Sequence, residues 1–151
     1  MQAAHTLLVR RPLEDARLPN IHIIWANRRR QDCEGGKNSN ISQPQNAERL
    51  GPIVRELEIL KSAYPNRITV EYDVDEERTF INDKQIARWT NENGQSDCLA
   101  ANSRLILVSG PEGFVNTVAG PKRWHDGKEQ QGTLGGILGQ MNLKGWKIWK
   151  L

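Results

Sequence analysis

The segment Ser109-Gly110-Pro111 could bind a ligand, because it directly follows the apolar run Leu105–Val108. A glycine lets a ligand approach the backbone closely, and a proline fixes the entry into a following helix. In an open parallel sheet, nucleotides bind beyond the carboxyl ends of the strands, where backbone N–H groups and a helix N-terminus converge. The spacing therefore predicts a cofactor-binding turn at this segment, and a plain strand-to-helix turn is the alternative.

A second candidate site follows the apolar run Ile21–Ala26, where Asn27 and Arg28 begin a polar segment. An arginine can stack on an adenine or pair with a phosphate. Arg29 and Arg30 continue the basic run, which predicts attraction of a phosphate. A solvated basic turn is the alternative interpretation.

Other residue types point to no further chemistry. Cys33 and Cys98 have no paired neighbour, and His5, His22 and His125 show no metal-ligand spacing, so we expect no metal. The net charge of +3, from 21 basic and 18 acidic residues, suits an anionic cofactor but not a nucleic-acid partner. No apolar run approaches the roughly 18 residues of a membrane span.

The elements that must position these sites alternate along the chain. Helical or strand periodicity and turn residues predict the following elements. The predicted strands are Ile21–Ala26, Ile68–Val74, Leu105–Ser109 and Trp146–Trp149, and the predicted helices are Ala3–Leu8, Ala47–Ala63, Lys84–Trp89 and Glu112–Val118. We expect a surface insertion at about residues 33–46 and a polar loop over Lys122–Gln131. Alternating strands and helices predict an α/β fold with a parallel sheet.

Three blocks of this sequence resemble the NAD(P)-binding domain of the ferredoxin-NADP reductase superfamily. Ile21–Asp32 is similar to its second strand, which ends in Asn-Arg and is followed by an Asp. Ile53–Arg67 is similar to its helix and third strand. Ser109-Gly110-Pro111 resembles its Cys-Gly-Pro signature. The resemblance implies a three-layer α/β/α domain over residues 1–151 that lacks the family's central first strand and Gly-rich pyrophosphate turn. We therefore expect marginal stability.

The resemblance also implies a function and a set of site residues. The chain would bind NAD(P)H and pass hydride to FAD, which an N-terminal domain absent from this sequence would hold. The nicotinamide end would lie at the signature turn and the adenosine end near the basic run. The implied cofactor-binding residues are Asn27, Arg28, Ser109, Gly110, Pro111, Glu112 and Phe114. No catalytic side chain is expected, because hydride passes directly between cofactors. Ser109 replaces the family's cysteine, so we expect less efficient transfer.

The carboxyl-terminal part resembles a narrower branch. Gly120-Pro121-Lys122, Gln131–Gly139 and the closing Trp-Lys-Ile-Trp are similar to fungal mitochondrial flavoproteins of the cytochrome c import factor type. This similarity implies a mitochondrial location and a haem or cytochrome acceptor; without it, a cytoplasmic location is expected. The alternative function is a cofactor-degenerate binding or scaffold domain. A response-regulator-like domain is disfavoured, because the strand ends carry Asn-Arg and Ser-Gly-Pro instead of an acidic cluster.

Overall fold

The computed structural model describes residues 19–38, 50–92 and 104–151, which form an α/β structure with parallel strand pairs. The chain divides into two compact units, Met1–Ile81 and Asn82–Leu151. Each unit is described by itself below. The predicted opening helix, Cys98 and most of the predicted insertion lie outside the described residues.

The first unit is built around two parallel strands, β1 (Ile21–Asn27) and β2 (Ile68–Val74), which pair along their full length. Helix α1 (Pro52–Ala63) connects them. Short 3₁₀ turns follow each strand, over Arg30–Cys33 after β1 and over Asp75–Glu77 after β2. Both turns lie at the same end of the pair, because the strands are parallel.

The core of the first unit follows from two periodicities. Alternate residues of β2 face inward, and α1 presents residues three positions apart, as a helix with one apolar face does. The buried residues of this cluster are Cys33, Val54, Leu57, Leu60, Ile68, Val70, Tyr72 and Val74. The proline at the first position of α1 needs no N–H partner there, so the helix begins at Pro52.

The second unit also contains one parallel pair, β3 (Leu105–Val108) with β6 (Lys147–Lys150). The described part of this unit also contains helices α2 (Asp83–Glu92) and α3 (Glu112–Ala119) and the single turn α4 (Gly136–Gly139). Val108, Val115, Val118, Ala119 and Leu138 are buried in this unit. The opposite face of the strand pair exposes Leu105, Leu107 and Trp149.

The segment predicted as a polar loop over Lys122–Gln131 instead contains an antiparallel hairpin. Strand β4 (Arg123–His125) pairs with β5 (Lys128–Gln130), and every residue of both is exposed. Asp126 and Gly127 have φ values of 50° and 71°. Positive φ at both central residues is the geometry of the tight turns that match the twist of paired strands. The prediction failed because the hairpin buries no apolar face and so leaves no alternating pattern.

The α/β prediction is confirmed, and β1, β2, β3 and β6 agree closely with the four predicted strands. The described strands form three separate two-stranded sheets: β1 with β2, β3 with β6, and β4 with β5. Helix α2 extends further at both ends than the predicted Lys84–Trp89.

Candidate functional site

The turn after β3 places Ser109, Gly110 and Pro111 on the surface at the carboxyl end of a parallel strand. Pro111 precedes α3, and its carbonyl accepts the first helical hydrogen bond from Val115 N at 3.0 Å. No side chain caps this helix start. The first N–H groups of α3 therefore present a partial positive charge to whatever lies over the turn.

Gly110 is required by its surroundings as well as by its backbone. Its φ is 156°, and a Cβ built there would lie 2.8 Å from Cδ1 of Phe114. The half-buried Phe114 ring thus packs across Gly110. Phe114, which the sequence placed among the cofactor-binding residues, has an evident packing role in supporting the turn.

Glu112 occupies the first turn of α3 and is exposed. A carboxylate is favourable at a helix N-terminus, but it opposes the approach of a second anion. An uncharged ring, such as a nicotinamide, meets less repulsion here than a phosphate does.

The strand beside this turn ends in a buried lysine that the sequence did not single out. Lys150 Nζ donates to the carbonyls of Pro121 at 3.0 Å and Thr133 at 2.9 Å, and burial lowers the pKa of Lys150. The Gln131 side chain bonds both backbone groups of Lys150, accepting from N at 2.7 Å and donating to O at 3.0 Å. The sequence did contain a sign of this burial: Lys150 lies two residues after Ile148, and alternate residues of a strand share one face.

The other two predicted site residues, Asn27 and Arg28, are adjacent at the end of β1 but differ in exposure. Asn27 is 8 % exposed, and its Nδ2 donates to the Trp25 carbonyl at 3.0 Å. Arg28 is exposed, while its backbone carbonyl accepts from Glu76 N at 3.3 Å. The Asn27 amide therefore holds the end of β1, and Arg28 is the residue that a ligand can reach.

The three arginines of the basic run differ in their surroundings. Arg30 Nε donates to Glu77 Oε1 at 2.6 Å, and its Nη2 pairs with Glu77 Oε2. This hydrogen bonding raises the pKa of Arg30 and lowers the pKa of Glu77. Arg28 and Arg29 are exposed. Of the three arginines, Arg28 and Arg29 are therefore the two whose side chains are exposed to an approaching phosphate.

The acidic segment Asp75–Glu77, which the sequence analysis did not single out, lies at the same end of the sheet as Arg28. Parallel pairing brings the ends of β1 and β2 together, although 47 positions separate the paired residues Asn27 and Val74. The carboxylates of Glu76 and Glu77 both bond the Arg30 residue. The surroundings of Arg28 are therefore of mixed charge instead of uniformly basic.

Both predicted groups of site residues lie at carboxyl ends of parallel strands. Asn27 and Arg28 belong to the first unit, and the segment from Ser109 to Phe114 belongs to the second. In residues 19–38, 50–92 and 104–151, no group of three or more His, Cys, Asp or Glu side chains is placed to hold a metal ion. None of the helices in these ranges has the length and apolar character that crossing a membrane requires.

Comparison with protein-family models, with curated proteins and with solved structures found no match to this chain.

Proposed function

We propose that the chain is the NAD(P)H-binding half of an FAD-dependent oxidoreductase that passes hydride from NAD(P)H to flavin and electrons on to a haem or cytochrome-type acceptor. The observation that carries this proposal is the turn Ser109-Gly110-Pro111, exposed beyond a parallel strand and followed by an uncapped helix start. That is the environment in which α/β proteins bind nucleotides.

The finer fold that accompanies this function is a three-layer α/β/α nucleotide-binding domain. Two parallel pairs, β1 with β2 and β3 with β6, support it, because parallel strands with helical connections are its building blocks. The location proposed with it is mitochondrial, and a separate FAD-binding domain is the proposed partner.

The residues of this chain would orient the dinucleotide instead of taking part in bond changes. Bound NAD(P)H would supply the hydride, and FAD, held mainly by the partner domain, would accept it. Gly110 is exposed beside the Phe114 ring, and the Ser109 hydroxyl can donate or accept a hydrogen bond there. Arg28 would meet the adenosine end with its exposed guanidinium.

A titration of the ¹⁵N-labelled chain with NADH and NADPH tests the proposal. We expect backbone amide shifts at Ser109, Gly110 and Glu112, with a second group of shifts around Arg28. The variant Gly110→Val should abolish the first group, because its side chain would clash with the Phe114 ring and displace the turn. The proposal is overturned if neither nucleotide shifts these amides at millimolar concentration.

The second candidate function is a cofactor-degenerate α/β binding or scaffold domain. Two observations favour it: the Asn27 amide is used internally, and carboxylates lie near Arg28. This candidate predicts no specific shifts with NADH, NADPH or FAD in the same titration.

A further inference from the structure

Two hydrogen bonds join the turn that carries Arg28 to the turn after β2, and each turn donates one of them. The backbone N–H of Arg30 donates to Glu76 Oε1 at 2.5 Å. The backbone N–H of Glu76 donates in return to the Arg28 carbonyl at 3.3 Å. These two bonds bracket Arg29 and fix the path of the chain immediately after β1.

The Arg30 side chain adds a further set of contacts. Its Nε and Nη2 form a two-pronged pair with the Glu77 carboxylate, and its Nη1 donates to the Gly36 carbonyl at 3.0 Å. A guanidinium presents its donors in a rigid planar fork, so this pairing sets direction as well as distance. One side chain thus connects the 3₁₀ turn after β2 with the far end of the turn after β1.

The Arg30–Glu77 ion pair contributes more to the conformation of the two turns than to the stability of the fold. The Arg30 and Glu77 side chains are 39 % and 42 % exposed, and exposed pairs contribute little to the free energy of unfolding. The Arg30 side chain nevertheless bonds the Gly36 backbone, while the Glu76 carboxylate and the Glu76 N–H bond the backbones of Arg30 and Arg28.

We propose that Arg30 and Glu77 are positioning residues for the adenosine end of the dinucleotide: they hold the turn in the conformation that presents Arg28. This inference rests on the proposed function. The Arg30 fork is occupied by Glu77 and Gly36, so its contribution to binding comes through the turn and not through direct contact with a phosphate.

The sign of the effect of Glu77→Gln distinguishes positioning from simple electrostatics. Removing a carboxylate near an anionic ligand strengthens binding if only charge matters. It weakens binding if the carboxylate holds the turn. The matched control is Glu58→Gln, which removes the partner of Lys61 in a partly exposed ion pair within α1.

The experiment measures the Kd of NADH for the full chain, together with the melting temperature of each variant. We expect Glu77→Gln to raise the Kd at least about fivefold, with no larger change in melting temperature than Glu58→Gln produces. The charge-exchanged double variant Arg30→Glu/Glu77→Arg should recover part of the lost affinity.

Several outcomes overturn the inference. If wild-type chain binds NADH and Glu77→Gln binds it as tightly or more tightly, the positioning role alone is wrong. The same conclusion follows if the loss of affinity is accompanied by a matching loss of thermal stability. If wild-type chain binds neither NADH nor NADPH, the proposed function fails and the inference fails with it; if it binds NADPH alone, the same comparison is made with the Kd of NADPH.

Discussion

Gly110 shows how a single residue can set the shape of the candidate site. A Cβ at this position would lie 2.8 Å from the Phe114 ring, and the backbone φ of 156° disfavours other residues. We expect Gly110→Ala to destabilise the second unit by about 1–3 kcal/mol. Chemical denaturation followed by tryptophan fluorescence measures this change.

Gly113 provides the control for that substitution. It lies inside α3, and a Cβ there meets no atom within 4 Å. Gly113→Ala should stabilise by about 0.5–1 kcal/mol, because alanine loses less backbone entropy than glycine in a helix. Equal destabilisation by both variants would contradict the packing role assigned to Gly110.

Lys150 should make the stability of the second unit depend on pH. Burial lowers its folded pKa below the ordinary value of 10.5. Between the folded and the unfolded pKa, the unfolded chain binds more protons, so stability rises with pH in that window. Lys150→Met should remove this rise, which urea titrations of both proteins between neutral pH and pH about 10.5 would detect as a difference in slope. Identical slopes would disprove the prediction.

At the scale of elements, polar side chains bond the backbones of strand ends. Asn38 accepts from Tyr72 N at 2.7 Å and donates to Tyr72 O at 3.2 Å. Gln131 does the same for Lys150, and Thr79 Oγ1 accepts from Val74 N at 2.6 Å. These side chains bond backbone groups that a neighbouring strand would otherwise pair with at the edge of a sheet.

Removing the Asn38 side chain tests this arrangement. Asn38→Ala leaves the buried Tyr72 peptide unpaired on that side, which should cost about 1–3 kcal/mol. Asn38→Asp is the control, since it keeps the oxygen that accepts from Tyr72 N. Hydrogen exchange should show faster exchange of the Tyr72 amide in the alanine variant alone; equal protection in all three proteins would refute the role.

The sequence predicted the strands and helices of the described residues better than the contacts between them. Ile21–Ala26 and Ile68–Val74 were recognisable because apolar and β-branched residues determine a strand locally. The Arg30–Glu77 pair was not, because its members lie 47 positions apart and meet only through the parallel register. Helix α2 was underestimated at both ends, where its terminal residues are polar.

At the scale of the whole molecule, the strands in residues 19–38, 50–92 and 104–151 form two-stranded sheets, and Leu105, Leu107 and Trp149 remain exposed. Two-stranded sheets need helix packing for stability, and exposed apolar residues contribute little burial. We expect unfolding below about 45 °C, measured by circular dichroism and calorimetry. A cooperative transition at about 45–65 °C would contradict this expectation.

The sequence by itself determined the α/β class, the main strands and the exposed turn at Ser109-Gly110-Pro111, because periodicity and turn residues act over a few neighbouring positions. Only the tertiary structure decided which side chains at the candidate sites are available to a ligand. It buried Asn27 and engaged Arg30 with Glu77. These outcomes depend on strand register and on contacts between distant segments, which short-range patterns do not encode.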